Sequence, residues 1–335
     1  MNPRFPFPAY PNGWFALGFT PEFPEGEVVT RHAFGQDIVV YRTRDGLRSS
    51  DPHCPHLGAH FGFGGRVIDD KLRCPFHGWC FDAAGQCVDI PGAIKIPPKA
   101  KLRSWPMREQ NGVVFAHYDA EGQPPEWGIP MLPDDGWTPN QTVLWTVRSH
   151  PQEILENTVD SAHLIPVHAV NSATICRAPV EEGPMFNVAL NLIADGAIVN
   201  MPGTVNDVVL DVTMHGLGFL VSLCEVRNVG LLARQRIYCT PIDEERTEIR
   251  GVVNLQKFSD DATDQQVAEL FYQAYVYDFA LDFPIWENKV YRDKPILSNA
   301  DGPFMTYRKW ARQFYSGGVK TAVEPLSLQH VEVRA

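Results

Sequence analysis

Hydrophobic and polar residues alternate with a two-residue period over much of this chain, which is the mark of half-buried strands. Residues 27–41 read this way, with Val28, Val29, Ile38, Val39 and Val40 as strand formers and a turn at Gly35-Gln36-Asp37. Residues 66–68 and 71–73 add two short strand-like runs, and Asn111-Gly112 leads into a strand over 113–118. The first 25 residues, rich in Pro and aromatic side chains, predict an extended segment packed on this all-β module. Residues 121–140 are loaded with Pro, Gly and acids and read as a linker. Beyond it, 142–149, 186–193, 205–212, 219–226, 233–239 and 248–254 alternate again and predict an antiparallel sheet. The period changes to that of a helix in three places. Pro151 opens a short helix that Pro166 stops, Asp260-Asp261 caps a long helix running to about residue 291, and a last helix covers 304–315. Along the long helix Val267, Leu270, Phe271, Ala274, Asp278 and Asp282 recur at helical spacing, so two carboxylates fall on an apolar face. The order of elements divides the chain into an all-β module (1–120), a linker (121–140) and an α+β domain (141–335).

Composition narrows the function. At 335 residues with 44% apolar content, two domains with sizeable cores are expected. The net charge of −11 argues against nucleic acid and anionic membrane surfaces as partners. Seven cysteines, an odd number in a long chain, point away from a disulfide framework. Cys80, Cys87, Cys176, Cys224 and Cys239 are expected as reduced core thiols, and His117 as an ordinary packed histidine. The N-terminus lacks the long apolar run of a signal peptide, and no stretch reaches eighteen consecutive apolar residues. A cytoplasmic protein is the expectation.

Two clusters of candidate ligands then stand out. Cys54-Pro55-His56 and Cys74-Pro75-Phe76-His77 form a pair of arms, each with one thiol and one imidazole. Zinc fingers group a Cys pair and a His pair, whereas mixed arms can straddle the two irons of a [2Fe–2S] centre held by two thiolates on one iron and two imidazoles on the other. Gly58 and Gly78 let the backbone turn tightly behind the ligands. The second cluster is Asn157-x2-Asp160-x2-His163-x4-His168, whose first three members are expected on one helix face. His-x4-His alone is a weak metal signal; polar groups among apolar neighbours strengthen it.

The arms, within CPHLGA and CPFHGW, together with the second cluster resemble the Rieske non-haem iron oxygenases. Ala59 and Phe76 stand where respiratory Rieske proteins carry two further cysteines, which turns the resemblance toward the oxygenase branch. Asp282-Phe-Pro-Ile285-Trp286 and Asp301-Gly302-Pro303 are most similar to 3-ketosteroid hydroxylases and cholesterol desaturases. The resemblance implies a helix-grip fold for the second domain, a curved antiparallel sheet around a long helix. It implies a Rieske cluster on Cys54, His56, Cys74 and His77, and a mononuclear Fe(II) on His163, His168 and a carboxylate. Asp282 is the choice for that carboxylate, with Asp278 as the alternative. Asp160 is implied to bridge His163 to His77 of the partner subunit in a homotrimer, and Asn157 to lie beside the iron. A monooxygenase of this kind uses O₂ and electrons from a separate NAD(P)H-dependent reductase, with or without a ferredoxin. This accords with the lack of a dinucleotide-binding glycine motif. The expected substrate is a sterol, a steroid or another apolar polycycle, to be hydroxylated, demethylated or desaturated; an aromatic or alkaloid-type molecule is the alternative. The rival classes are a non-catalytic Rieske electron carrier and a structural zinc protein. The eukaryotic desaturases begin with a membrane anchor not found here, which favours a soluble, bacterial-type enzyme.

Overall fold

The structure, a computed structural model, describes residues 4–195 and 203–316. The N-terminal module is built from β1 (Gly13–Phe19), β2 (Val28–Ala33), β3 (Gln36–Thr43), β4 (Gly46–Ser50), β5 (Arg66–Ile68), β6 (Lys71–Arg73), β7 (Cys80–Phe81), β8 (Cys87–Asp89), β9 (Met107–Gln110) and β10 (Val113–Tyr118). They pair as three small antiparallel sheets, β1-β10-β9, β2-β3-β4 and β5-β6-β7-β8. Part of the extended entry segment is thus a buried strand, β1. The turn between β2 and β3 is Phe34-Gly35 rather than the expected Gly35–Asp37. Both residues have positive φ (54° and 69°), as the right-handed twist of a two-residue hairpin demands. Phe34 tolerates this because its ring is buried in the core of the module.

The second domain follows as β11 (Gln141–Val147), α1 (Pro151–Glu156), α2 (Leu164–His168), β12 (Ser172–Glu182), β13 (Met185–Asp195), β14 (Val205–His215), β15 (Phe219–Val226), β16 (Leu231–Pro241), β17 (Thr247–Leu255), α3 (Asp261–Ala280), α4 (Phe283–Asn288) and α5 (Phe304–Ala311). The seven strands form one antiparallel sheet in the order β11-β17-β16-β15-β14-β13-β12. Alternation along each strand divides it into two faces. Leu220, Cys224, Ile237 and Cys239 join the helices in the main core, while Phe219, Val221, Tyr238 and Val252 pack against Trp14, Ala16, Val113 and Phe115 of the N-terminal module. The two modules are therefore joined by a shared apolar layer, with the helices on the opposite face of the sheet.

Several elements differ from the sequence expectation. β12 was not legible: it is an edge strand with Pro179 inside it, mostly exposed side chains and an irregular register, all of which erase the period. Cys176 lies on that strand and is exposed, so it is not a core thiol; Cys87, Cys224 and Cys239 are buried and Cys80 is half-buried. The helix expected from Pro151 to Pro166 breaks earlier. A 3₁₀ turn covers Asn157–Val159, Asp160 is extended (φ −99°, ψ 90°), and Pro166 sits inside the first turn of α2, where its missing N–H costs nothing. The long helix ends at Ala280, and Pro284 opens the separate α4, with Asp282 immediately before it. The buried stripe of α3 is Asp264, Ala268, Phe271 and Tyr275, rotated by about one residue from the expected one.

Candidate active site

The two cysteine–histidine arms lie in the loops between β4 and β5 and between β6 and β7, and the loops repeat each other bond for bond. Cys54 N–H donates to the Ala59 carbonyl (2.9 Å) and Gly58 N–H to that of Cys54 (3.0 Å). In the second loop Cys74 N–H donates to Trp79 (2.8 Å) and Gly78 N–H to Cys74 (3.2 Å). Gly58 and Gly78 take φ of 77° and 74°, which only glycine adopts without strain. The thiols of Cys54 and Cys74 are buried side by side, and His56 and His77 are exposed with their rings 4.6 Å apart. Trp79 stacks on His56 at 4.5 Å and 10°. Burial, and then the neighbouring Cys74, push the Cys54 thiol up to about 11 against the lowering effect of a hydrogen bond from His56. A metal centre here must displace thiol protons. A single tetrahedral zinc would need all four donor atoms within about 4 Å of one another. Among the described residues, three such atoms converge at only one place, and it is not here. A thiol pair and an imidazole pair standing apart fit the larger two-iron cluster.

That one convergence is His163, His168 and Asp282, whose ligand atoms lie within 4.8 Å of one another. The local fold aims each of them. His163 ends the break after Asp160, and its Nδ1–H donates to the Asp160 carbonyl (2.6 Å), leaving the Nε2 lone pair free. His168 closes α2, and its Nδ1 donates to Asp278 Oδ1 (3.0 Å), which likewise frees Nε2. The two Nε2 atoms face the Asp282 carboxylate, at 3.8 Å from His163 and 3.4 Å from His168. Asp282 is 5% exposed, makes no capping bond to α4, and among the described residues its Oδ1 has no hydrogen-bond partner; nor has Nε2 of His168. Buried polar atoms left open in this way around one point fit a cation. Burial opposes a charge on His168, but Asp278 and Asp282 outweigh it and raise the imidazole to about 9. Burial would also raise Asp160; its bonds with His163 and the Ala162 N–H prevail, and the carboxyl lies below its usual range.

The structure thus brings Asp282 to both histidines and places Asp278 behind His168, on its other nitrogen. Asn157 lines the cavity beside them, and Asp160 packs on His163 with 23% of its side chain exposed. His77 lies in the other module, on the far face of the sheet from the helices. Asn157, Asp160 and His163 do not share a regular helix face, because the chain changes conformation at each of them. Sequence reasoning missed the clamp that holds α1. Arg308 of α5 forks onto Glu156 (2.6 and 2.7 Å) and Tyr307 Oη donates to the Gln152 carbonyl (2.8 Å). Gly302, read from the sequence only as part of Asp301-Gly302-Pro303, lies against the Val159–Asp160 backbone, a contact the sequence did not show.

In front of the three ligand residues lies a cavity of about 170 Å³. Leu155, Leu190, Val212, Leu220, Ile237, Phe279 and Trp286 supply much of its wall; among the described residues Asp278 and Asp282 are its only acids, and no Lys or Arg lines it.

The comparisons with known proteins decide the family. A Rieske [2Fe–2S] domain profile matches residues 13–106, and a 3-ketosteroid 9α-hydroxylase C-terminal domain profile matches 116–315. The chain belongs to the Rieske oxygenases of the 3-ketosteroid hydroxylase branch. It is 32% identical to the cholesterol 7-desaturase of Bombyx mori, over 94% of this chain and 72% of that one. It is 30% identical to a probable 3-ketosteroid-9α-monooxygenase, oxygenase component, of Rhodococcus rhodochrous, over 91% and 80%. Among solved structures, dicamba monooxygenase bound to dicamba shares the fold, with a TM-score of 0.72 at 19% identity over 90% of this chain and 96% of that one. The family and fold expected from the sequence therefore stand, and this Rieske oxygenase is an oxidoreductase rather than an electron carrier alone. No described helix is long and apolar enough to cross a membrane.

Proposed function

We propose that this Rieske oxygenase oxidises a neutral, largely apolar polycycle of the sterol or steroid class, by hydroxylation, oxidative demethylation or desaturation. One observation carries the substrate class: among the described residues the cavity is walled mostly by aliphatic and aromatic side chains, and its only acids and imidazoles are Asp278, Asp282, His163 and His168. Among the described residues no Lys or Arg lines the cavity to pair with the carboxylate of an aromatic acid. The relatives named for cholesterol and 3-ketosteroids support the same class.

In this reading Cys54, His56, Cys74 and His77 hold a [2Fe–2S] cluster, and His163, His168 and Asp282 hold Fe(II). When bound, these centres supply one-electron relay and O₂ activation. The chain's own residues do the rest. Asp278 fixes the ring and tautomer of His168, and the Asp160 carbonyl does the same for His163. The apolar walls hold the substrate and exclude water from the reacting end. The partly exposed Asp160 carboxylate is the proposed contact to His77 of the partner subunit, in a homotrimer. A separate NAD(P)H-dependent reductase, with or without a ferredoxin, delivers the electrons; the naming of the Rhodococcus relative as an oxygenase component supports this. Seven free cysteines agree with a cytoplasmic setting.

The test is turnover of a panel of neutral sterols and steroids, one methylxanthine and one aromatic acid with a generic reductase, read by product mass. A steroid product dependent on O₂ and reductant is expected. Turnover of the acid or the methylxanthine with every steroid inert would overturn the reading.

A further inference from the structure

The inward face of the sheet is apolar wherever it lines the cavity, with two exceptions. Leu190, Val212, Leu220 and Ile237 set the pattern, but Ser222 on β15 and Gln235 on β16 also line it. The two are direct cross-strand partners, flanked in the same row by Val212 on one side and Val253 on the other. Their side chains have no hydrogen-bond partner among the described residues, although Ser222 is only 5% exposed. An amide and a hydroxyl that open onto the cavity without a protein partner are free to bind a polar group of its occupant. Ser222 lies one inward position, about 7 Å, along β15 from Cys224. Cys224 in turn feels the charge of Asp278. The open polar pair therefore stands near the ligand residues without belonging to them.

We infer that Gln235, with Ser222 beside it, is the polar anchor of the substrate site, and that it binds a single hydroxyl or carbonyl oxygen on an otherwise apolar molecule. This rests on the reading of the cavity as the substrate site of a steroid-class oxygenase. The amide can donate to a ketone or accept from an alcohol, and the serine hydroxyl can do either. Two neutral groups suit an uncharged oxygen, and no Lys or Arg among the described lining residues is there to pair with a carboxylate. Gln235 is a specificity-determining residue: by holding that oxygen it sets how the molecule lies against the histidines, and so which carbon faces them.

The test measures binding of 5α-androstane, 5α-androstan-3-one and 5α-androstan-3-ol to the metal-loaded full chain, by equilibrium dialysis with mass-spectrometric readout. It compares wild type with Gln235→Leu and with the near-isosteric Gln235→Met, which keeps the volume of the wall. The affinity of ketone and alcohol relative to the hydrocarbon should fall about 10-fold in both variants, with hydrocarbon binding retained or improved. Ser222→Ala should lower the same ratio by about 3-fold. A ratio unchanged within about twofold in Gln235→Met, with the wild type binding all three steroids, overturns the anchor and leaves the steroid reading standing. If the wild type binds none of the three, the steroid reading falls and the anchor with it.

Discussion

Gly302 offers the sharpest test of how the ligand residues are positioned. A Cβ added there would lie 1.6 Å from the Val159 carbonyl oxygen and 2.8 Å from its carbon. Ordinary carbon–oxygen contact begins at roughly 3.3 Å, so Gly302→Ala requires a backbone shift of more than about 1.5 Å. No flexible side chain can absorb it, because the obstructing atoms are main chain. The far side cannot yield easily either: Pro303 leads into α5, which the Arg308–Glu156 and Tyr307–Gln152 bonds tie to α1. The motion falls on Val159 and Asp160, and the Asp160 carbonyl is the group that orients His163. Overpacking of this kind costs about 1–3 kcal/mol. A displacement of about 1 Å at a reacting centre costs on the order of 100-fold in rate. The variant should therefore lose mononuclear iron and turnover while keeping the visible spectrum of the cluster, which sits in the other module. Iron and sulfide analysis with a single-turnover assay reads both. Normal iron content and turnover within about threefold of wild type would refute the reasoning.

Three further predictions follow from buried groups. Arg308→Gln leaves the Glu156 carboxylate, 3% exposed, without its fork of hydrogen bonds, and should destabilise the protein by about 3–5 kcal/mol in denaturant titration; a loss under about 1 kcal/mol would contradict this. His150 is fully buried, donates from Nε2 to the Ala9 carbonyl, and accepts the Gln152 N–H at Nδ1 as the cap of α1, so a second proton has no place; burial lowers it to about 3. The unfolded chain takes up that proton below about pH 6.5, so stability is full above that pH and falls by about 1.4 kcal/mol per unit as pH drops toward 3. His150→Asn, which can still cap, should lack this component, and parallel pH profiles for the two proteins would refute the assignment. Asp160→Asn should retain both metals yet block oxidation of the cluster in a single turnover; normal single-turnover kinetics would remove Asp160 from the electron path.

How much of this was legible in the sequence depends on how local each feature is. The two arms and the His163/His168 pair are short-range patterns, and the residues that carry them are readable from the sequence. The helical period alone did not choose between Asp278 and Asp282, since both follow from it; the choice of Asp282 rested on the resemblance carried by Asp282-Phe-Pro-Ile285-Trp286. The structure separates them because Pro284 restarts the helix and leaves Asp282 in the turn, facing both Nε2 atoms. Gln235 did leave a signal, a polar residue at an inward position of the run Leu231, Ala233, Gln235, Ile237, Cys239, though it reads equally as a strand flaw. The Gly302–Val159 contact and the Arg308–Glu156 clamp join residues more than 140 positions apart, and no window of sequence contains them.

The central claim is that one chain holds two separate iron centres on these residues. It is tested most directly by counting iron and acid-labile sulfide in the anaerobically reconstituted wild type and in Asp282→Ala, alongside the EPR spectrum of each after reduction. The account predicts about three irons per chain in the wild type and about two in the variant, with the cluster signal identical in both. A variant that keeps its third iron, or a wild type without the cluster signal, would contradict it.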